Sequence, residues 1–291
     1  MSPEGAPEPS AVATRDAAAR AAERAFLGLE MQDGAPRAVL PVTERICTTR
    51  DSLYGGAVLA TAITAMETAT ARRIVWATAQ LVGNAPLGEH IELSIDELAR
   101  GRRSSQVLVR ASTPAGVVFT ALGATGEEQA DAFAADYARM PDVVPPDHCE
   151  PMFPADDDGR RGYQTVIDIR AAGAAADARP PALHAWARTP GRRTSLPAMI
   201  AAVADQLPYA VAHLAGAPGA GASLDNTLRV GPRSEQEWVL LELRPDLAAR
   251  GYGHGSVWVW GRDGTLLAVG SQTSAMRSEM RFRAWPNGPA R

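Results

Sequence analysis

The spacing of apolar and polar positions changes several times along the chain, and each change marks an element. His90 to Leu98 alternates Ile91, Leu93 and Ile95 with Glu92, Ser94 and Asp96, the two-residue period of a half-buried strand. Gln106–Ala111 and Val117–Ala124 flank the turn Thr113-Pro-Ala-Gly116 and are expected to pair as a hairpin. Arg37–Val42 and Arg73–Val82 also read as strands. Gly55–Ala69 is instead small and apolar almost all round, as a buried helix is. Its Gly-Gly start permits backbone conformations that other residues resist. Arg15–Leu27 is Ala-rich with interspersed charges and is expected to form a short helix.

The same order recurs in the second half. Tyr163–Ile169 and Leu183–Arg188 read as strands. A helix is expected from Ser195 to His213, with Ser195 as its N-cap and Pro197 in the first turn. Ser223–Val230, Glu237–Arg244, Gly255–Trp260 and Thr265–Thr273 read as strands. Pinning turn residue Gly116 on Gly264 sets Ala124 opposite Gln272. The chain thus reads as a duplicated helix-plus-sheet unit. Polar groups in only one copy predict one active site between two pseudo-equivalent halves. Pro141, Pro145, Pro146, Pro151, Pro154 and the acidic run 156–158 read as a linker. The expected organisation is a disordered 1–14, folded halves at 15–126 and 163–280, a linker at 127–162, and a tail at 281–291.

Composition narrows the class. Hydrophobic residues make up 46% and charged residues 21%, ordinary for a globular protein. A net charge of -4 argues against a nucleic-acid or anionic-membrane partner. No apolar run is long enough to span a bilayer, and residues 1–14 lack the apolar core of a signal peptide. Cys47 and Cys149 supply neither a disulfide framework nor metal-ligand spacing. A reducing cytoplasm and no metal are therefore expected. Abundant Ala, Arg, Gly and Pro with scarce Lys point to a high-GC bacterial genome.

Four segments carry a family resemblance: Leu53-Tyr-Gly-Gly-Ala-Val-Leu59, Gly101-Arg-Arg-Ser-Ser105, Ser223-Leu-Asp225, and Gly264-Thr-Leu-Leu-Ala-Val-Gly-Ser-Gln-Thr-Ser-Ala-Met-Arg277. Over residues 30–280 the chain resembles the double-hotdog acyl-CoA thioesterase II family. The resemblance implies an α+β tandem hotdog, each half an antiparallel sheet wrapped around one central helix. It also implies a water-activating trio: an Asp within the second helix, a Thr on the next strand and a Gln on the final strand. By position these are Asp205, Ser223 and Gln272, with Ser in place of Thr and a shorter loop after the helix. Tyr54, Gly55 and Gly56 would bind the substrate and its oxyanion. The implied substrate is the thioester of an acyl-CoA or of an acyl carrier protein, with coenzyme A as part of the substrate and no separate cofactor. Edge-to-edge joining of hotdog sheets implies a homodimer.

Hydrolysis needs a positioned water, a base for its proton and donors for the developing oxyanion. Burial of Asp205 among apolar helix neighbours would make it a better base, while hydrogen bonds from Ser223 and Gln272 would keep it ionised. The Gln272 carboxamide can donate to a carboxylate and accept from water at once. Backbone N–H groups at the Gly55-Gly56 helix start would face the oxyanion. Blander readings stand beside these: an exposed or Arg-paired Asp205, a strand-start Ser223, a solvent-facing Gln272, and glycines that only ease packing. Asp225 competes as the site carboxylate. Arg102, Arg103, Arg192 and Arg193 either bind coenzyme A phosphates or are simply solvated. Trp76, Trp186, Trp238, Trp258 and Trp260 are expected to pack the sheet. Two other functions remain open, a hotdog hydratase or dehydratase and a non-catalytic acyl-binding protein. None of the five histidines lies in the Asn-Pro-x-His context that the former resemblance would require.

Overall fold

The structure, a computed structural model, describes residues 11–128, 134–135, 137–153, 161–175, 181–216 and 220–277. The expected acidic run 156–158 and the tail 281–291 lie outside these residues. In the first half, helix α2 (Gly55–Thr70) is followed by strands β3 (Arg73–Leu81), β4 (His90–Arg100), β5 (Ser104–Thr113) and β6 (Gly116–Gly126). Helix α1 (Ala11–Leu27) and strands β1 (Glu30–Met31) and β2 (Arg37–Pro41) precede it. In the second half, β7 (Asp168–Ala175) and β8 (Ala182–Arg188) precede helices α3 (Pro197–Ala204) and α4 (Leu207–Leu214). Strands β9 (Ala220–Val230), β10 (Val239–Ala249), β11 (Tyr252–Gly261) and β12 (Leu266–Arg277) complete it.

The twelve strands among the described residues form one antiparallel sheet in the order β1-β2-β4-β5-β6-β3-β9-β12-β11-β10-β8-β7. Read outward from the centre, the two halves follow the same chain order, so the duplication is one of topology as well as sequence. The halves join at β3 and β9, where Trp76 pairs with Arg229 and Gln80 with Asp225. The Thr227 hydroxyl also donates to the Ala77 carbonyl across this seam at 3.0 Å. The turn glycines Gly116 and Gly264 both take positive φ, 136° and 86°, where a β-carbon is penalised. This is a double hotdog, with α2 and the α3–α4 pair inside the curved sheet.

Helix α2 is buried on nearly every side because its residues are small and apolar. It packs against α3 as well as the sheet. Helix α1 adds an unforeseen contact: Glu23 Oε1 accepts the Ala198 N–H at 3.1 Å. This satisfies an amide that the first turn of α3 leaves unpaired. Glu23 is fully buried beside Glu67 of α2, whose Oε1 accepts the Ile74 N–H at 2.7 Å.

Four expectations need correction. Helix α1 begins at Ala11, so residues 11–14 are helical rather than disordered, while 1–10 lie outside the described residues. The expected strand at Tyr163 is a 3-10 turn over Gly162–Thr165, and the strand starts at Asp168. Ser195 does not cap α3. Its hydroxyl donates to the Ser234 carbonyl and accepts the Gln236 N–H, and Leu196 occupies the cap position. The helix expected over Ser195–His213 is broken at Asp205-Gln206 into α3 and α4. Pro208 lacks the N–H that a continuous helix would use and starts a new one instead.

Where described, the segment between the halves crosses the outer face of the second half of the sheet. Trp186 Nε1 donates to the Val144 carbonyl at 2.7 Å. Trp186, Trp238 and Trp260 form a separate apolar cluster with Met140, Val143 and Cys149 against it. Trp238 lies under the guanidinium groups of Arg170 and Arg188, and Trp258 under that of Arg244. Trp186, Trp238, Trp258 and Trp260 therefore pack the sheet, as expected.

Candidate active site

The break after α3 places Asp205 at a helix end rather than within a helix. Its φ of -74° and ψ of 56° are those of an inverse γ-turn, closed by the Gln206 N–H on the Ala204 carbonyl at 2.8 Å. The turn aims the carboxylate at the N-terminus of α2. A β-carbon on Gly55 would stand 2.6 Å from Asp205 Oδ2, so only glycine leaves room there. Gly56 lets the helices approach: a β-carbon there would meet the Ala202 carbonyl at 2.7 Å. The Gly56 backbone N–H lies on the side of the Asp205 carboxylate and helps to hold its pKa down.

The other two members of the expected trio meet the same carboxylate. Gln272 Nε2 donates to Asp205 Oδ1 and also to Ser223 Oγ at 2.6 Å. Ser223 Oγ in turn donates to Asp205 Oδ1 at 3.2 Å. Asp205 is 8% exposed and Gln272 4%, which excludes the solvent-facing readings of both. Burial is the largest influence on the Asp205 carboxyl and pushes it up to about 6, against hydrogen bonds from Gln272, Ser223 and Gly56 that hold it down. A carboxylate balanced in this way is ionised at neutral pH yet basic enough to take a proton from water.

Tyr54 caps α2 and is buried. Its hydroxyl donates to the Asp205 backbone carbonyl at 3.1 Å and accepts from Gln206 Nε2 at 2.9 Å. The Tyr163 ring stacks on it at 4.1 Å between centroids. Burial pushes the Tyr54 phenol well above its ordinary range, so it stays protonated. Gln206 and Tyr163 were not singled out in the sequence. The Pro208 helix-start signal two residues downstream could have exposed the break that brings Gln206 in.

Competing candidates sit elsewhere. Asp225 Oδ1 accepts the Thr273 N–H at 2.7 Å, bridging the β9–β12 irregularity next to Thr273, and so has a structural partner. Arg192 stacks over Phe26, and Arg193 pairs with Glu235 at 2.8 Å. Arg102 and Arg103 are exposed. A cavity of about 440 Å³ lies at the opposite end of α2, lined by Glu23, Glu67, Arg73, Pro197 and Arg233; it does not border Asp205. Among the described residues, no group of three or more acidic, His or Cys side chains is placed to hold a metal. No described helix is long and apolar enough to cross a membrane.

Comparison with known proteins agrees with this fold. The acyl-CoA thioesterase N-terminal domain profile matches residues 42–126, and the C-terminal domain profile matches 146–276. A candidate thioesterase from Novosphingobium aromaticivorans is 30% identical, with a TM-score of 0.76 over 87% of this chain and 99% of its own. The chain belongs to the acyl-CoA thioesterase II-like double-hotdog family. A hot dog fold protein of unknown function from Alicyclobacillus acidocaldarius is 19% identical over 89% of this chain and 99% of its own, with a TM-score of 0.76. An acyl-CoA thioesterase II from Mycobacterium marinum is 18% identical over 88% of this chain and 98% of its own, with a TM-score of 0.69. Comparison with curated proteins returns no match.

Proposed function

We propose that this chain hydrolyses an acyl-CoA thioester by activating a water on Asp205, Ser223 and Gln272. The observation that carries this reading is the convergence of Ser223 and Gln272 on one oxygen of a buried carboxylate beside the N-terminus of α2. Asp205 takes a proton from the water as its oxygen attacks the thioester carbonyl carbon. Ser223 and Gln272 orient the base, and the carboxamide oxygen of Gln272 accepts from the water. The tetrahedral intermediate then collapses, the C–S bond breaks, and the proton on Asp205 passes to the leaving thiolate. Free acid and thiol result, and no cofactor enters the balance.

The oxyanion role expected for Gly55 and Gly56 takes a particular form. The Gly56 N–H favours the ionised Asp205 carboxylate. Protonation makes that carboxyl a weaker acceptor just as the substrate oxygen becomes a stronger one. Transfer of the N–H from one to the other stabilises the transition state more than the ground state. The hydroxyl of Ser223 serves as an orienting group rather than a nucleophile, because its partners are a carboxylate and a carboxamide. A cytoplasmic homodimer acting on coenzyme A or carrier-protein thioesters fits the family.

The test is thiol release from straight-chain acyl-CoAs between acetyl and palmitoyl, with the matching acyl-pantetheines in parallel. Release from at least one acyl-CoA is expected, and a preference for it over the acyl-pantetheine would indicate recognition of the nucleotide. No release from any of them would count against a coenzyme A substrate and favour a carrier-bound acyl group or an acyl-binding protein.

A further inference from the structure

We propose that Tyr54 and Gln206 are positioning residues that hold the break between α3 and α4 in the shape that aims Asp205. The proposal rests on the reading of Asp205 as the base and adds the device that keeps it in place. The inverse γ-turn at Asp205 has one short-range hydrogen bond and is a poor anchor by itself. The carbonyls at the end of α3 also lack partners within the helix. Tyr54 supplies both needs. Its hydroxyl donates to the Asp205 carbonyl and accepts from the Gln206 side chain. The hydrogen-bond path therefore leaves the backbone at Asp205 and returns to it at the next residue, closing a staple around the turn.

The phenol is itself fixed. Its ring lies parallel to that of Tyr163, with 5° between planes, and Phe153 meets Tyr163 edge-on. The Tyr54 N–H donates to the Ile46 carbonyl at 2.9 Å and the Tyr163 N–H to the Cys47 carbonyl at 2.7 Å, so both rings hang from one turn. Tyr54 also directly precedes Gly55 and Gly56. One residue thus fixes the helix start that offers amides to the substrate and, through its side chain, the turn that carries the base. Those two groups come from opposite halves of the chain, and their separation must be held closely, since a misplacement of about 1 Å can cost on the order of 100-fold in rate.

The test uses Tyr54→Phe, which keeps the stacked ring and removes the hydroxyl, and Gln206→Met, which removes the donor at similar size. If Tyr54→Phe fails to fold, Gln206→Met carries the test. The substrate is the acyl-CoA that the wild-type protein turns over fastest in the panel above. The Asp205 carboxyl is titrated separately by its infrared band, assigned by its loss in Asp205→Asn. The expected result is a kcat about 10-fold lower with KM within about twofold, and a carboxyl titration moved to higher pH. The upward move follows because a loosened turn draws the buried carboxylate away from the donors that hold it down. A titration that stays put or moves down overturns the proposal whatever the rate, because a merely structural phenol would leave it unmoved. Unchanged kcat with an inactive Asp205→Asn also overturns it and leaves the base standing. An active Asp205→Asn removes the base and this proposal with it.

Discussion

Gly55 and Asp205, from opposite halves of the chain, approach so closely that a β-carbon on Gly55 would stand 2.6 Å from Asp205 Oδ2 and 3.2 Å from Ser223 Oγ. Gly55 has no positive φ, so alanine suits its backbone and the first turn of a helix. Gly55→Ala is therefore expected to fold with a melting temperature near that of the wild type. Its added methyl must displace the carboxylate, and kcat should fall by roughly 100-fold or more. Steady-state kinetics beside a thermal melt checks both halves of this expectation. Full activity would mean that the carboxylate does not work from this position.

The same carboxylate should make the fold pH-dependent. Its native pKa of about 6 lies above the ordinary 3.8, so between those values the native state keeps a proton that the unfolded chain has lost. Stability therefore falls as pH rises through that window. Asp205→Asn cannot ionise and should remove this slope, standing about 1–3 kcal/mol above the wild type at pH 8. Urea unfolding at pH 4.5 and pH 8 measures it. Equal pH dependence in the two proteins would place the carboxylate in a far wetter site.

Glu67 makes a parallel case away from the chemistry. Burial is the largest influence on its carboxyl and pushes it up to about 7. It lies twelve residues from Gly55 along α2, roughly 18 Å. Glu67→Gln keeps an acceptor for the Ile74 N–H and removes a buried ionisation. Expected are unchanged turnover and a gain of roughly 1–3 kcal/mol at pH 8 that vanishes near pH 4.5. A loss of stability at pH 8 would show that the ionised form is the one the fold needs.

Ser223 tests the hydroxyl. It accepts from Gln272 and donates to Asp205, and threonine can do both with one extra methyl. Ser223→Thr should retain most of the wild-type kcat, and Ser223→Ala should lose about 10-fold or more, consistent with a hydrogen bond to a charged group. Equal rates in Ser223→Ala and the wild type would remove the hydroxyl from the mechanism.

Much of this was legible because it repeats. Gly116 and Gly264 mark corresponding turns, and their alignment singled out Gln272 against Ala124. The alternation of Ile91, Leu93 and Ile95 gave a strand that the structure extends only to Arg100. The apolar helix of the second half was legible as buried but not as broken, because hydrophobic pattern reports burial and is silent about where a backbone turns. Glu23 was illegible: its partner Ala198 lies 175 positions away, and no local pattern encodes such a contact. The Tyr54–Asp205 contact spans 151 positions and was hidden for the same reason. Tyr54 itself was expected at the substrate, whereas the structure ties its hydroxyl to the backbone of the candidate base.

The most direct test of the account is kcat of Asp205→Asn on the acyl-CoA that the wild-type protein turns over fastest. Loss of a general base that also sets the water should lower kcat by roughly 100- to 10,000-fold, in a variant whose melting temperature is at or above that of the wild type. Turnover within about tenfold of the wild type would contradict the assignment of Asp205 as the base.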